Sequence, residues 1–259
     1  MSAPDHTESS SDLPSPRQCL SLVISAYNEE EALPRLFAEI KRDLVGWTAL
    51  EVIIINDGST DGTAEVMETL NSQLQTDRAE GRLDHSLRLV LSSLNENRGM
   101  GAALRAGYEL ATEPWVTFLP GDGQIAPAMI YPLCDAAELG ARAVTTRYTN
   151  RKYSLYRQIL SRGLRVLNRM IVGVNVTSEG MYLIERTLLQ SMPLTSDSFM
   201  LNLEIPIRAA RQRLPMHVVG IEVRARQGGQ SSATQWGRIA STLKDLIALR
   251  LRMMRERSS

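Results

Sequence analysis

Four short polar stretches of this chain each follow a run of apolar residues and carry groups able to hold a charged ligand. They are Ala26-Tyr27-Asn28-Glu29-Glu30, Asn56-Asp57-Gly58-Ser59-Thr60-Asp61-Gly62, Asn95-Glu96-Asn97-Arg98-Gly99-Met100-Gly101 and Pro120-Gly121-Asp122-Gly123-Gln124. Tyr27 can stack on a planar ligand, and a packed loop tyrosine is the plainer reading. Asp122 with the Gln124 carbonyl suits a hard, oxygen-seeking cation such as Mg²⁺ that also holds a diphosphate. For Asp57 and Asp122 the plainer reading is a tight turn, since Asp-Gly pairs favour turns on their own account.

The elements that must position these groups are strands, because each polar stretch ends an apolar run. Leu20–Ser25 and the Val52-Ile53-Ile54-Ile55 run read as buried strands of a parallel sheet, and Leu87–Leu91 and Trp115–Leu119 as the third and fourth strands. Helical spacing follows the first at Leu33, Leu36, Phe37 and Ile40, with Glu29 to Glu31 expected in its first turn, where acids suit the helix dipole. A second helix carries Val66, Met67 and Leu70, capped by Ser59, Thr60 or Asp61. A third runs through Leu104, Tyr108 and Leu110. Open α/β sheets bind ligands at the carboxyl ends of their strands, so four tips in succession make one site. Gly99 and Gly101 do not make a dinucleotide-binding loop, because Leu104 stands where that motif needs Gly or Ala. Backbone amides at that helix start remain a candidate phosphate contact.

Composition sets the bounds. The chain has 259 residues and 43% apolar content, enough for one large α/β domain. Acidic and basic residues balance at 29 each, yet eight basic residues and no acidic one lie between Glu138 and Glu179. Such a local excess points to an anionic ligand or surface. The two cysteines, Cys19 and Cys134, have no metal-ligand spacing and no disulfide framework, as in a cytosolic chain. No apolar run reaches the ~20 residues that span a bilayer, and the first residues do not read as a signal peptide. Residues 1–18 read as a disordered tail.

The motifs resemble glycosyltransferase family 2. The resemblance rests on Ile24 to Glu30, Ile55 to Thr63 and Asn97 to Leu104. Thr146-Arg147-Tyr148, Tyr156 to Gly163, Gly180-Met181-Tyr182, Phe199 to Ala210 and Val223 to Ser231 are similar to the polyprenyl-phosphate (dolichyl-phosphate mannose synthase-like) hexosyltransferase branch. It implies an α/β GT-A fold: a Rossmann-like, mostly parallel central sheet flanked by helices, with C-terminal amphipathic helices. It implies a nucleotide-sugar-binding half over 19–126, an acceptor half over 127–232 and a basic amphipathic helix over 233–259. Donor binding would fall to Ala26, Tyr27, Glu29, Asp57, Arg98, Gly99, Asp122 and Gln124. Asp122 and Gln124 would hold Mg²⁺ or Mn²⁺. Arg147, Arg157, Ser161 and Arg226 would face the acceptor phosphate, and Asp122, Arg147 and Arg226 would be the catalytic groups.

The implied activity is inverting transfer of a hexose from a GDP- or UDP-hexose to a polyprenyl monophosphate. Its expected place is cytoplasmic, peripheral at the inner face of the membrane, with nucleotide sugar and polyprenyl phosphate as partners and a partner subunit or homo-oligomer as a further option. Nucleic acid is not an expected partner. Pro120 replaces the first acid of the family's D-x-D motif, which weakens the metal requirement; Val176, Ala225 and Ser232 depart from the branch on the acceptor side. A non-lipid acceptor and an inactive nucleotide-sugar-binding member are the alternatives. Along Trp236 to Arg257, the residues Trp236, Ile239, Leu243, Leu246, Ile247 and Met254 approximate one face. Six basic residues accompany them, and the helix suits either an anionic membrane or a protein partner.

Overall fold

A computed structural model of the chain describes residues 13–82, 86–150, 180–214, 216–224 and 248–254. Seven strands form one sheet in the order β3-β2-β1-β4-β6-β5-β7. They are β1 (Cys19–Ala26), β2 (Ala49–Asn56), β3 (Leu87–Ser93), β4 (Trp115–Pro120), β5 (Ala143–Tyr148), β6 (Tyr182–Glu185) and β7 (His217–Ile221). The first four pair in parallel, β7 is parallel to β5, and β6 alone runs antiparallel to its neighbours β4 and β5. The carboxyl ends of six strands therefore share one edge of the sheet.

The helices are α1 (Leu33–Asp43), α2 (Thr63–Ala79), α3 (Met100–Leu110), α4 (Tyr131–Glu138), α5 (Arg186–Gln190) and α6 (Leu201–Arg211). Right-handed crossovers put α1 and α2 on one face, while the return from β3 to β4 carries α3 across the other. Strand order reverses between β1 and β4, and the crevice outside their carboxyl ends is the expected ligand position of such a sheet. Burial on both faces explains the unbroken apolar runs: Val52 to Ile55 and Leu22 to Ile24 are fully buried.

Three sequence expectations change. Glu29 to Glu31 precede α1, whose first turn holds no acid; the groups of Glu29 and Glu30 are used in loop contacts described below. Residues 13–18, assigned to a tail on composition, pack at the amino-terminal edge of the sheet. There Trp115 Nε1 donates to the Pro14 carbonyl at 2.9 Å, and Arg17 pairs with Asp135. Within 233–259 only 248–254 is described and is helical. Its Leu249 and Met253 pack with Met200, the N-cap of α6, and Ile207 of α6, while Met254 faces outward.

Candidate active site

The loops after β1 and β2 are built against each other. The Asn28 amide donates to Ser59 Oγ at 3.0 Å, and Asn28 Oδ1 accepts from the Thr60 amide at 2.8 Å. The Glu29 amide donates to Thr63 Oγ1 at 2.9 Å, and Glu30 Oε2 accepts the Gly62 amide at 2.7 Å. The N-cap of α2 is Gly62, with no side-chain cap, so none of the three expected capping residues occupies it; Asp61, one position earlier, accepts the Thr63 amide on Oδ1 at 3.0 Å. Asn28 adopts the left-handed region at φ 55° to make this junction. Two sequence motifs 30 residues apart thus form one platform at the β1 and β2 tips, with Ala26 buried and Tyr27 at 38% exposure above it.

Asp57 lies inside that platform, 3% exposed. Its Oδ1 accepts the Arg98 amide at 2.9 Å and its Oδ2 the Gly99 amide at 2.8 Å. Burial pushes its carboxyl above the ordinary carboxylate range, and the two amides and the Arg98 charge pull it back. Asp57 therefore also fixes the loop between β3 and α3. Gly58 completes the junction: its φ is +64°, and a Cβ there would sit 2.3 Å from the Glu96 carbonyl carbon.

The start of α3 is not an open phosphate cradle. The amides of Arg98 and Gly99 are taken by Asp57, and that of Ala102 donates to the Asp197 and Gly99 carbonyls at 3.0 and 2.9 Å. Residues 196–198 lie directly on the turn, so a Cβ on Gly101 would meet the Ser198 carbonyl oxygen at 2.4 Å. The covering segment is itself anchored. Glu204, fully buried on α6, accepts the Ser196 amide at 2.8 Å and Arg208 Nε at 2.8 Å. Asp197 pairs with Arg105 and, at 3.4 Å, with Arg98. Arg98, expected at the donor, is engaged by this brace; of the brace's acids, Glu204 lies in the Phe199–Ala210 stretch that carried the resemblance, while Asp197 had no sequence signal.

The β4 tip carries the Asp122–Gln124 turn, both side chains half-buried. The Gly121 amide donates to the Ser25 carbonyl at 2.9 Å, which continues the pairing of β1 and β4 past Pro120. Asp122 Oδ1 accepts the Gln124 amide at 3.1 Å, and the Gln124 carbonyl accepts the Arg224 amide at 2.8 Å. Among the described residues no three His, Cys, Asp or Glu side chains converge to hold a metal. One carboxylate plus an amide carbonyl is, however, a donor set that fits Mg²⁺ or Mn²⁺ shared with substrate phosphates.

On the acceptor side, Arg147 is exposed at the β5 tip, two strand positions or about 10 Å across the sheet from β4. Arg142, counted in the basic stretch, instead grips buried Glu185 through three hydrogen bonds of 2.6 to 2.9 Å, so it is structural. Arg157, Ser161 and Arg226 lie outside the described residues.

An undecaprenyl-phosphate 4-deoxy-4-formamido-L-arabinose transferase of Pseudomonas fluorescens (strain SBW25) is 32% identical over 185 residues, 69% of this chain and 50% of that protein. Its namesake from strain Pf0-1 is 30% identical over 216 residues, 77% of this chain and 59% of that protein. The chain thus spans about half the length of the curated relatives it matches. Among solved structures, glucosyl-3-phosphoglycerate synthase from Mycobacterium tuberculosis with phosphoglyceric acid superposes over 96% of this chain and 85% of its own, with a TM-score of 0.65 at 20% identity. The same synthase with Mn²⁺, uridine diphosphate and glucosyl-3-phosphoglycerate gives a TM-score of 0.63 at 20% identity, over 97% of this chain and 86% of its own. The shared architecture is the GT-A fold. Residues 21–201, from β1 to the start of α6, match Glycosyl transferase family 2, and the chain belongs to that family.

Proposed function

We propose that this chain is a glycosyltransferase moving a sugar from a nucleoside-diphosphate sugar to a polyprenyl monophosphate at a membrane surface, with inversion at the anomeric carbon. The observation that carries the reading is the convergence of the β1, β2 and β4 tips, with Tyr27, Asp57, Asp122 and Gln124, at the crevice where strand order reverses. The relatives' names supply the acceptor class. Those names carry a sugar derived from arabinose, a pentose, so the donor sugar is not restricted to hexoses.

In this reading Ala26, Tyr27, Glu29 and Asp57 surround base and ribose, while Asp122 and Gln124 face the diphosphate. Mg²⁺ or Mn²⁺ bound there would neutralise diphosphate charge; with Pro120 in place of an acid, the protein lends it one carboxylate from this turn. A phosphate oxygen of the acceptor attacks the anomeric carbon, the bond from that carbon to the diphosphate oxygen breaks, and the electron pair leaves with the nucleoside diphosphate. The acceptor is already anionic, so no protein base is required. The work of the site is to hold two repelling phosphates in line, which falls to Arg147 and the arginines of the acceptor half.

Membrane contact is supported by outward-facing Phe199, Leu251 and Met254, which accompany Arg250 and Arg252 around the 248–254 helix. No helix among the described residues is long and apolar enough to cross a bilayer.

The test is product formation from a panel of UDP- and GDP-sugars with a short polyprenyl phosphate, with Mg²⁺, Mn²⁺ or EDTA. Sugar on the lipid phosphate, reduced about 10²–10³-fold by Asp122→Ala, is the expected result. Donor binding or slow donor hydrolysis without lipid product would overturn the acceptor and favour a non-lipid one, toward which Val176, Ala225 and Ser232 already point.

A further inference from the structure

The segment after β7 crosses the site edge as a strap. The Thr149 amide and hydroxyl donate to the Ile221 carbonyl at 2.9 and 3.1 Å. Asn150 then holds Val223 at both its carbonyl and its amide, at 2.8 and 3.1 Å. One residue on, the Arg224 amide donates to the Gln124 carbonyl at 2.8 Å. The Arg224 guanidinium reaches α1, where Nη1 and Nη2 donate to Glu39 Oε1 and Oε2 at 3.1 and 2.6 Å. These partners stand 185 residues apart in the chain. A fork-to-fork arginine–carboxylate pair fixes orientation as well as distance.

We infer that Glu39 and Arg224 are positioning residues: a latch that holds the Asp122–Gln124 turn in place for the diphosphate of the donor. Two backbone hydrogen bonds tie the turn to its surroundings, Gly121 to Ser25 at its start and Gln124 to Arg224 at its end. The first belongs to the sheet. The second depends on where Arg224 sits, which Asn150 sets from the β5 side and Glu39 from the α1 side. Because Pro120 withholds one acid from this turn, its two remaining oxygen donors must be presented accurately, and a fixed backbone at Gln124 does that. Neither residue belongs to the donor site itself; both act through the turn. The inference rests on the reading of Asp122 and Gln124 as the diphosphate-facing groups.

The experiment measures binding of UDP and GDP by calorimetry in Mn²⁺ and in EDTA, together with hydrogen exchange of peptides covering 119–126. Glu39→Gln and Arg224→Gln are each expected to weaken binding of the preferred nucleotide with Mn²⁺ by about 5–20-fold and to speed exchange in those peptides, while peptides from β1 and β2 exchange as in the unaltered protein. Arg224→Lys, which keeps the charge and loses the fork, falls between, and the double variant Glu39→Gln/Arg224→Gln is no worse than either single change. Unchanged nucleotide affinity in both single variants would overturn the latch. So would faster exchange spread through the whole sheet, which would make the pair a general stabilising contact. Absence of nucleotide binding by the unaltered protein would overturn the site reading itself, and the latch with it.

Discussion

Asp57, assigned to the donor in the proposed reading, has both its oxygens committed to the protein. Both carboxylate oxygens hold amides of the β3–α3 loop, at 2.9 and 2.8 Å. Asp57→Asn leaves one amide facing an NH₂ group, so a loss of about 1–3 kcal/mol in urea denaturation is expected, with weaker nucleotide binding. The same carboxyl is held above its ordinary range chiefly by burial. The folded protein therefore keeps this proton more tightly than the unfolded chain does. The contribution to stability is present below the ordinary carboxylate range and lost as pH rises through the raised value. Thermal midpoints of the unaltered protein and Asp57→Asn, followed from pH 3 upward, should show this decline in the former only. Gly58→Ala tests the same junction by volume, since its Cβ would meet Glu96 backbone at a positive φ. About 1–3 kcal/mol of destabilisation, read by the same denaturation, is the expected cost.

At the scale of elements, the brace from α6 to α3 is the least local feature of the site. Glu204 and Arg208 are 0% and 4% exposed, and the 195–198 segment depends on the former. Glu204→Ala takes the paired carboxylate from a buried guanidinium and from the 195–196 amides, and should cost about 3–5 kcal/mol. Hydrogen exchange should quicken at both 195–198 and 98–103; quickening confined to α6 would contradict the brace. β1, β2 and β4 with their polar tips were legible in the sequence because burial on both faces writes apolar runs that end abruptly, and β3, the half-buried edge strand, was legible from its apolar residues alone. β6 and β7 were not, being four and five residues long, with β7 mostly exposed. The first turn of α1 was misread because Glu29 to Glu31 mimic a dipole-suited start, while the amides and side chain of this stretch bind the β2–α2 loop instead. Gly99 and Gly101 suggested an open amide nest; they are glycines because another segment lies on them. Contacts such as Arg224 with Glu39 leave no mark in local sequence, since neither position has a periodicity that requires the other.

Over the whole molecule, balanced charge conceals an uneven layout. The outward Phe199 and Leu251 stand 64% and 54% exposed near the basic C-terminal helix. Phe199→Glu and Leu251→Glu together should reduce co-sedimentation with anionic phosphatidylglycerol vesicles by about tenfold and leave nucleotide affinity unchanged. Equal co-sedimentation would assign that face to a protein partner. The reversed direction of β6 has a separate consequence. β5 leaves the sheet at its carboxyl edge and β6 re-enters from it, with Thr146 Oγ1 joined to Met181 at 2.8 and 3.0 Å, so Tyr148 and Gly180 stand side by side at the ligand edge. A one-residue slip of β6 against β5 would turn its side chains to the opposite face and shift that corner with them, so pairing register and the outline of the crevice change together.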